Sequence, residues 1–278
     1  MALPNTVPGT DPQAILEWAR RAENGPFTSI GVLDRVRYDS FDPMACLAAA
    51  AAVTSRVRLV TMVVVGPLRN TTLLGKQAAT IDALSGGRLS VGLALGARED
   101  DYRAVGIEPA GRARRFEGQL EALRDVWEGD AVGPRPSQKG GPEILIGGTS
   151  DLAFARVARY ADGYVHGGGP PRAFDRAAQR ARVAWTDAGR PGDPRLWGQS
   201  YFALGDALER GREYMLDYYA FTGPFAERLA DGLLTDPQSI VQQIRGYAEA
   251  GCHELVMIPT VPDPDQADLL AEIVGGIP

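Results

Sequence analysis

Apolar and polar positions follow two different periods along almost the whole chain. Residues 57–65 and 89–95 are near-continuous apolar runs, the pattern of parallel strands that are buried on both faces. The residues between them repeat apolar positions at helical spacing, at Leu73, Leu74, Ala78, Ile81 and Leu84. The pattern therefore predicts a complete strand–helix–strand unit in fewer than fifty residues.

Residues with special backbone preferences mark the ends of the predicted helices. Asn70 can cap the helix of this unit, and Gly86-Gly87 can end it, because glycine adopts a left-handed conformation without a Cβ clash. Asp-Pro pairs that begin at Asp11, Asp42 and Asp236 combine a capping carboxylate with a proline in the first helical turn. Each pair predicts the start of a further helix.

Strands and helices alternate along the rest of the chain. Strands are predicted at 2–5, 29–33, 57–65, 89–95, 143–146, 163–166, 196–203 and 254–258. Eight strands with helices between them are typical of a (β/α)8 TIM-like barrel, and we expect residues 1–278 to form one barrel domain. An open doubly wound sheet is the main alternative, but no glycine-rich dinucleotide motif follows the first strand.

Composition and charge narrow the class of partner. A net charge of −6 argues against nucleic acid, and no apolar run reaches the roughly 18 to 20 residues that span a bilayer. The N-terminal residues do not resemble a signal peptide, and we expect a cytoplasmic protein. Cys46 and Cys252 form neither a disulfide framework nor a metal-ligand spacing, so no metal is expected.

The segments after strands five and six are rich in glycine. Gly147, Gly148, Thr149 and Ser150 precede a helix, whose free N–H groups attract anions. His166 and residues 167–169 end the neighbouring strand, where a proton donor or a phosphate ligand would be placed. The two segments are consistent with a phosphate cradle, or with an ordinary turn and helix cap.

Charged and aromatic residues also follow strands at the predicted mouth. Asp34 and Arg35 lie at the end of strand two. They form either a charged wall of the binding site or an ordinary surface ion pair. Glu99 is the carboxylate of residues 98–102 expected to face the pocket, although such acidic segments are usually solvated caps. The aromatic segment 214–234, with Gly223-Pro224 inside it, indicates either helix packing or a helical lid over an apolar substrate pocket.

Several short motifs resemble the bacterial luciferase-like superfamily of flavin- and F420-dependent oxidoreductases. They lie at 29–35, 67–70, 76–80, 84–89, 146–148 and 158–164. The resemblance implies a TIM-like barrel, often dimeric, that holds reduced FMN or coenzyme F420 at its mouth. It further implies that Met62-Val63 forms a bulge, often with a cis bond, behind the ring. Leu95 and Gly96 would lie along the ring, and residues 147–150 would hold the phosphate.

One departure from the superfamily bears on mechanism. Many relatives have histidine after the aspartate of strand two, whereas this chain has Arg35. Arginine stays protonated, so it is suited to stabilising an anion rather than to general base catalysis.

The resemblance favours a two-component monooxygenase that uses FMN, reduced by a separate reductase, and O2 on an apolar small-molecule substrate. The alternatives are hydride transfer by F420, a non-catalytic flavin-binding protein and, less favoured, a barrel enzyme without flavin. A homodimer is expected.

Overall fold

Eight parallel strands form a barrel in a computed structural model that describes residues 1–277. They are β1 (Ser29–Val32), β2 (Arg58–Thr61), β3 (Val64–Val65), β4 (Leu89–Ala94), β5 (Glu143–Gly147), β6 (Gly163–His166), β7 (Arg195–Phe202) and β8 (Glu254–Pro259). Their order in the sheet is β1-β2-β4-β5-β6-β7-β8, and β3 extends the β2 position against β4.

The N-terminal residues close the barrel between β8 and β1. The Ala2 N–H donates to the Met257 carbonyl at 2.7 Å, and the Leu3 N–H donates to the Gly31 carbonyl at 2.8 Å. Ala2 is bridged to Gly31 in parallel orientation. The short first strand predicted from the sequence therefore occupies the eighth barrel position, and the predicted TIM-like barrel is confirmed.

Eleven α-helices surround the strands within the described residues. They are α1 (Pro12–Asn24), α2 (Pro43–Val53), α3 (Thr71–Ser85), α4 (Glu99–Ala104), α5 (Arg112–Glu128), α6 (Asp151–Tyr160), α7 (Pro171–Asp187), α8 (Leu208–Tyr218), α9 (Phe225–Ala230), α10 (Pro237–Glu249) and α11 (Asp265–Gly275). None of these is long and apolar enough to cross a membrane.

The capping residues act as the sequence indicates. The side chains of Asp11, Asp42, Asn70 and Asp236 each accept a backbone N–H of the first turn of their helix. Gly86 ends α3 with φ of 68°, in the left-handed region that glycine tolerates. These local signals account for the accurate helix starts.

Apolar side chains form two layers that follow the alternation along each strand. Ile144 and Ile146 of β5 point outward to the helices, whereas Leu145 points into the barrel. The inner layer includes Val60, Val165, Trp197 and Val256. These side chains fill the inside of the barrel below the C-terminal strand ends.

Three local features differ from the sequence-based expectation. The run 57–65 is not one strand, because a cis bond between Met62 and Val63 separates β2 from β3. The polar segment after β4 forms the short helix α4. The acidic residues of its first turn stabilise it, because they lie at the positive end of the helix dipole. Leu73 and Leu84 of the predicted inner stripe of α3 are 61% and 65% exposed.

Candidate active site at the barrel mouth

A cavity of about 220 Å³ lies where the C-terminal strand ends converge. Its walls come from β1, the β2–β3 junction, β4 to β7 and the segment after α8. The lining residues are Leu33, Asp34, Met62, Val63, Val65, Ala94, Gly96, Arg98, Gly147, Gly148, Val165, Gly167, Gln199, Tyr201, Tyr218 and Tyr219. This is the position at which barrel enzymes bind their ligands.

A second cavity of about 290 Å³ adjoins the first beside the start of α6. The two share the lining residues Ala94, Gly96, Gly147 and Gly148, so they lie side by side, and we call the pair of cavities the slot. A Cβ on Gly148 would lie 2.7 Å from the Ala153 side chain, and the φ of Gly148 is +142°. The slot therefore depends on backbone that only glycine provides at this place.

Two of the predicted ring-backing residues lie in the wall of the first cavity. Met62 and Val63 line it, and the bond between them is the cis bond that the resemblance implied. Leu95 and Gly96 line the second cavity, and Gly96 lines both. The structure thus brings these four residues together along one slot.

Asp34 reaches the cavity with both carboxylate oxygens already engaged. Its side chain is 1% exposed and forms an ion pair with Arg69 at 2.9 Å. The second oxygen accepts the Val65 N–H at 2.9 Å. Burial raises the pKa of Asp34, and the Arg69 charge and the Val65 N–H oppose that rise. Asp34 fixes β3 and Arg69 in place.

Arg35 does not line the cavity that the sequence assigned to it. Its guanidinium donates to Asp100 at 3.2 Å and to the Tyr218 carbonyl at 3.4 Å. It also lies over the Tyr38 ring, 4.5 Å from the centroid. The ion pair with α4 turns the side chain away from the slot. Arg35 thereby links the end of β1 to α4 and α8.

Glu99 is also placed outside the cavity. It begins α4, its side chain is 61% exposed, and it pairs with Arg103 one helical turn later. The expectation that Glu99 faces the pocket is wrong, because helix formation directs this carboxylate to solvent. The preceding Arg98 lines the cavity instead.

The start of α6 offers the donors that an anionic group needs. The Ser150 side chain caps the helix by accepting the Ala153 N–H at 3.2 Å. The N–H groups of Thr149 and Ser150 make no hydrogen bond within residues 1–277. Arg156, with a side chain 6% exposed, lines the same cavity and is held by Glu117 at 2.9 Å. A phosphate would fit this end of the slot.

His166 lies in the layer between barrel and helices, where it lines neither part of the slot. Its Nδ1 is 3.1 Å from the Tyr164 hydroxyl, and its ring packs edge-on against Phe174. The Tyr164 hydroxyl in turn donates to the Gly148 carbonyl at 3.0 Å. Burial lowers the pKa of His166 to about 4, although a backbone contact with Gly168 opposes this. The predicted ligand role therefore becomes a supporting one.

The predicted aromatic lid contributes two rings to the cavity. Tyr218 and Tyr219, at the end of α8, line it beside Arg98. The Tyr219 hydroxyl is 2.7 Å from the Tyr201 hydroxyl of β7. Burial raises the pKa of all three tyrosines, so their hydroxyls stay protonated at neutral pH.

A larger concavity than either cavity of the mouth lies elsewhere, on the outside of the barrel. It is an open groove of about 850 Å³ between α6 and α7, and it shares no residue with the slot. No strand end reaches it. We assign the active site to the mouth, where backbone donors, arginine and apolar walls converge.

Sequence reasoning missed Arg98, Arg156, Gln199 and Tyr201. Gln199 and Tyr201 lie two and four residues after the inward-facing Trp197 of β7, so the period of two was the available signal. Arg98 follows the end of the predicted strand 89–95 by three residues. Nothing in the sequence pattern points to Arg156, because only the packing of α6 against α5 brings it to the slot.

The site fits one class of ligand. A long slot with apolar walls at one end and a helix N-terminus with arginine at the other suits a flat group with an anionic tail. The fold and site thus define a (β/α)8 barrel whose mouth has room for an extended group with an anionic end.

Comparison with known proteins identifies the family. The model of the family described as luciferase-like monooxygenase matches residues 2–251, and the chain belongs to this family. Protein Rv0953c of Mycobacterium tuberculosis is 31% identical over 229 residues, which cover 76% of this chain and 79% of that protein.

Two further relatives carry informative names. An FMNH2-dependent dimethylsulfone monooxygenase of Pseudomonas putida is 31% identical over 137 residues, 43% of this chain and 38% of the enzyme. An F420-dependent secondary alcohol dehydrogenase, solved with an F420–acetone adduct, has the same fold. Its TM-score is 0.80 at 17% identity, with 98% of this chain and 97% of that chain covered. The chain is therefore an oxidoreductase of the luciferase-like class.

Proposed function

We propose that the chain is the oxygenase of a two-component monooxygenase, which uses reduced FMN from a separate reductase and O2. The observation that carries the proposal is the slot of two adjoining cavities, whose two ends match a flat ring and a phosphate. Family membership and the FMNH2-dependent relative support the choice of FMN. F420 shares the ring-and-phosphate plan and is the second candidate, favoured by the dehydrogenase of the same fold.

The residues of the slot suggest how FMN would be held. Met62 and Val63 would support one face of the ring, with Leu95 and Gly96 along it. Gly147, Gly148 and Ser150 would surround the phosphate, together with the Thr149 N–H and the charge of Arg156. Reduced FMN supplies the electrons that activate O2.

The protein would supply position, electrostatics and exclusion of water. Asp34, through Arg69 and the Val65 N–H, would keep the ring wall rigid. Tyr218 and Tyr219 would shield the ring from solvent, and their protonated hydroxyls can donate but not accept a proton at neutral pH. We assign Arg35 a positioning role on α4 and α8, and Glu99 no catalytic role.

The phosphate assignment is tested by changing the charge at Ser150 without removing its cap. Ser150→Asp keeps a good N-cap but places an anion at the proposed phosphate, whereas Ser150→Asn keeps the cap and stays neutral. We expect the FMN dissociation constant to rise about tenfold or more in the aspartate variant, and by less than about threefold in the asparagine variant. Fluorescence titration of FMN measures both.

The same titrations separate the alternatives. Equal affinity of the aspartate and asparagine variants would place the phosphate elsewhere. Binding of F420 without binding of FMN would reject the monooxygenase and favour hydride transfer. FMN binding without oxygen-dependent product formation over a broad substrate panel would favour a non-catalytic flavin-binding protein.

A further inference from the structure

Arg98 is a cation at the cavity wall without a carboxylate partner. Its Nη2 donates to the Tyr218 carbonyl at 3.1 Å, and its Nε is buried without a hydrogen-bond acceptor. The guanidinium lies 4.3 Å from the Tyr218 ring centroid and 4.4 Å from that of Phe221. Aromatic rings therefore cover its faces. Its Nη1 makes no hydrogen bond within residues 1–277 and is left for a ligand.

The other arginines around the slot are all paired. Arg35 pairs with Asp100, Arg69 with Asp34, and Arg156 with Glu117, at 2.9 to 3.2 Å. Within residues 1–277 no carboxylate lies within 4.0 Å of the Arg98 nitrogens. A buried charge without a partner is costly, so Arg98 is an exception that requires an explanation.

Two hydroxyl groups extend the donor surface beside Arg98. Tyr201 and Tyr219 share one hydrogen bond of 2.7 Å, which uses one of their two protons and leaves the other for a ligand. Both residues line the same cavity as Arg98. Within the described part of the chain, Asp34 is the only carboxylate in that lining, and it forms an ion pair with Arg69. The cavity thus presents donors and positive charge.

We propose that Arg98, with Tyr201 and Tyr219, binds an anionic oxygen of the substrate, namely a carboxylate, enolate or phenolate on an apolar body. The inference rests on the proposed function, because the substrate must share the cavity with the cofactor ring. It replaces a purely apolar substrate by an amphiphilic anion. The remaining walls, Leu33, Met62, Val63 and Val165, are apolar and fit the body of such a molecule.

The test compares anions with neutral molecules of the same shape. FMN-loaded protein is titrated with benzoate and benzamide, and with hexanoate and hexanamide, through the change in flavin absorbance. We expect at least one anion to bind about tenfold or more tightly than its amide. Arg98→Gln should abolish this preference without changing amide affinity, and Arg98→Lys should keep part of it. Arg103→Gln on the same short helix, an exposed control, should keep all of it.

Three results would overturn the inference. They are equal affinity for anion and amide in both pairs, a preference that survives in Arg98→Gln, and a loss of FMN affinity in Arg98→Gln with the preference intact. The last result would assign the cation to the cofactor. If wild-type protein fails to bind FMN, the proposed function fails instead. Calorimetric titration of the cofactor-free protein then shows whether an anion preference still depends on Arg98.

Discussion

At the scale of single residues, charge is assigned by neighbours rather than by position in the chain. Arg35 and Arg98 both follow strands at the mouth and both contact Tyr218. Asp100 and Asp101 draw Arg35 away from the slot, whereas Arg98 has no such partner within residues 1–277. The sequence predicted Arg35 as the cation of the site, whereas in the structure Arg98 lines the cavity and Arg35 does not.

His166 shows how burial changes the chemistry of a titratable residue. Its pKa is lowered from 6.5 to about 4, so the folded protein holds it neutral at neutral pH. The unfolded chain protonates this imidazole more readily, and stability must therefore fall as the pH drops from about 6.5 towards 4. Tyr164 and Phe174 are the groups that pack against it.

We predict that His166 contributes an acid-dependent loss of roughly 2 to 3 kcal/mol in the free energy of unfolding between pH 7.5 and 4.5. His166→Gln keeps a hydrogen-bonding group near Tyr164 but removes the titration. Urea unfolding at both pH values should show a smaller decline in the free energy of unfolding for the variant. An identical decline in the two proteins would assign the acid sensitivity to other groups.

At the scale of elements, α4 links the mouth to the end of α8. Asp101 is 3% exposed and accepts the Val36 and Arg37 N–H groups at 3.0 and 2.7 Å. Arg98, just before α4, binds the end of α8. An element of six residues is too short to be stable by itself, so these tertiary bonds hold it.

Asp101→Ala should release α4 locally. Loss of two charge-assisted hydrogen bonds should destabilise the protein by about 2 kcal/mol or more and speed amide hydrogen exchange at 36–37 and 99–104. Hydrogen exchange with mass spectrometry measures this. Asp100→Ala, which loses one partly exposed ion pair with Arg35, is the matched control and should change exchange much less. Equal protection in all three proteins would show that α4 does not depend on Asp101.

At the scale of the whole molecule, α2 and α3 present an unusual outer face. The α2 sequence contains no charged residue, yet Ala45 and Ala52 are exposed. Leu73 and Leu84 of α3 are mostly exposed beside it. A helix that is apolar all round is typical of a position buried on both sides. We propose that this face is the interface of the homodimer that the family resemblance implies.

Leu73→Lys should therefore dissociate the protein. At micromolar concentration, we expect light scattering to give the mass of a dimer, twice 29.7 kDa, for the wild-type protein and 29.7 kDa for the variant. Leu152→Lys on α6 changes a residue of similar exposure on another face and should leave the dimer intact. Dissociation by the α6 variant alone would move the interface to α6 and α7. A monomeric wild-type protein would remove the proposed dimer.

The sequence by itself determined the barrel, the helix starts and the glycine-rich segment after β5, because these features depend on residues close together in the chain. Hydrophobic period sets strand or helix, an aspartate or asparagine side chain satisfies free N–H groups, and only glycine accepts the backbone at Gly148. The family resemblance, rather than these local signals, pointed to Met62, Val63 and Gly96, and the structure places them in the cavity walls at the mouth.

Only the tertiary structure decided which charges face the slot. Glu99 faces solvent on α4, a helix that the pattern did not predict. Arg35 forms an ion pair with Asp100 of α4. His166 is buried between the barrel and the helices, next to Tyr164. Arg98 and Arg156 reached the slot through packing of distant elements. Ion pairs and burial depend on neighbours far along the chain, and a single sequence does not show those neighbours.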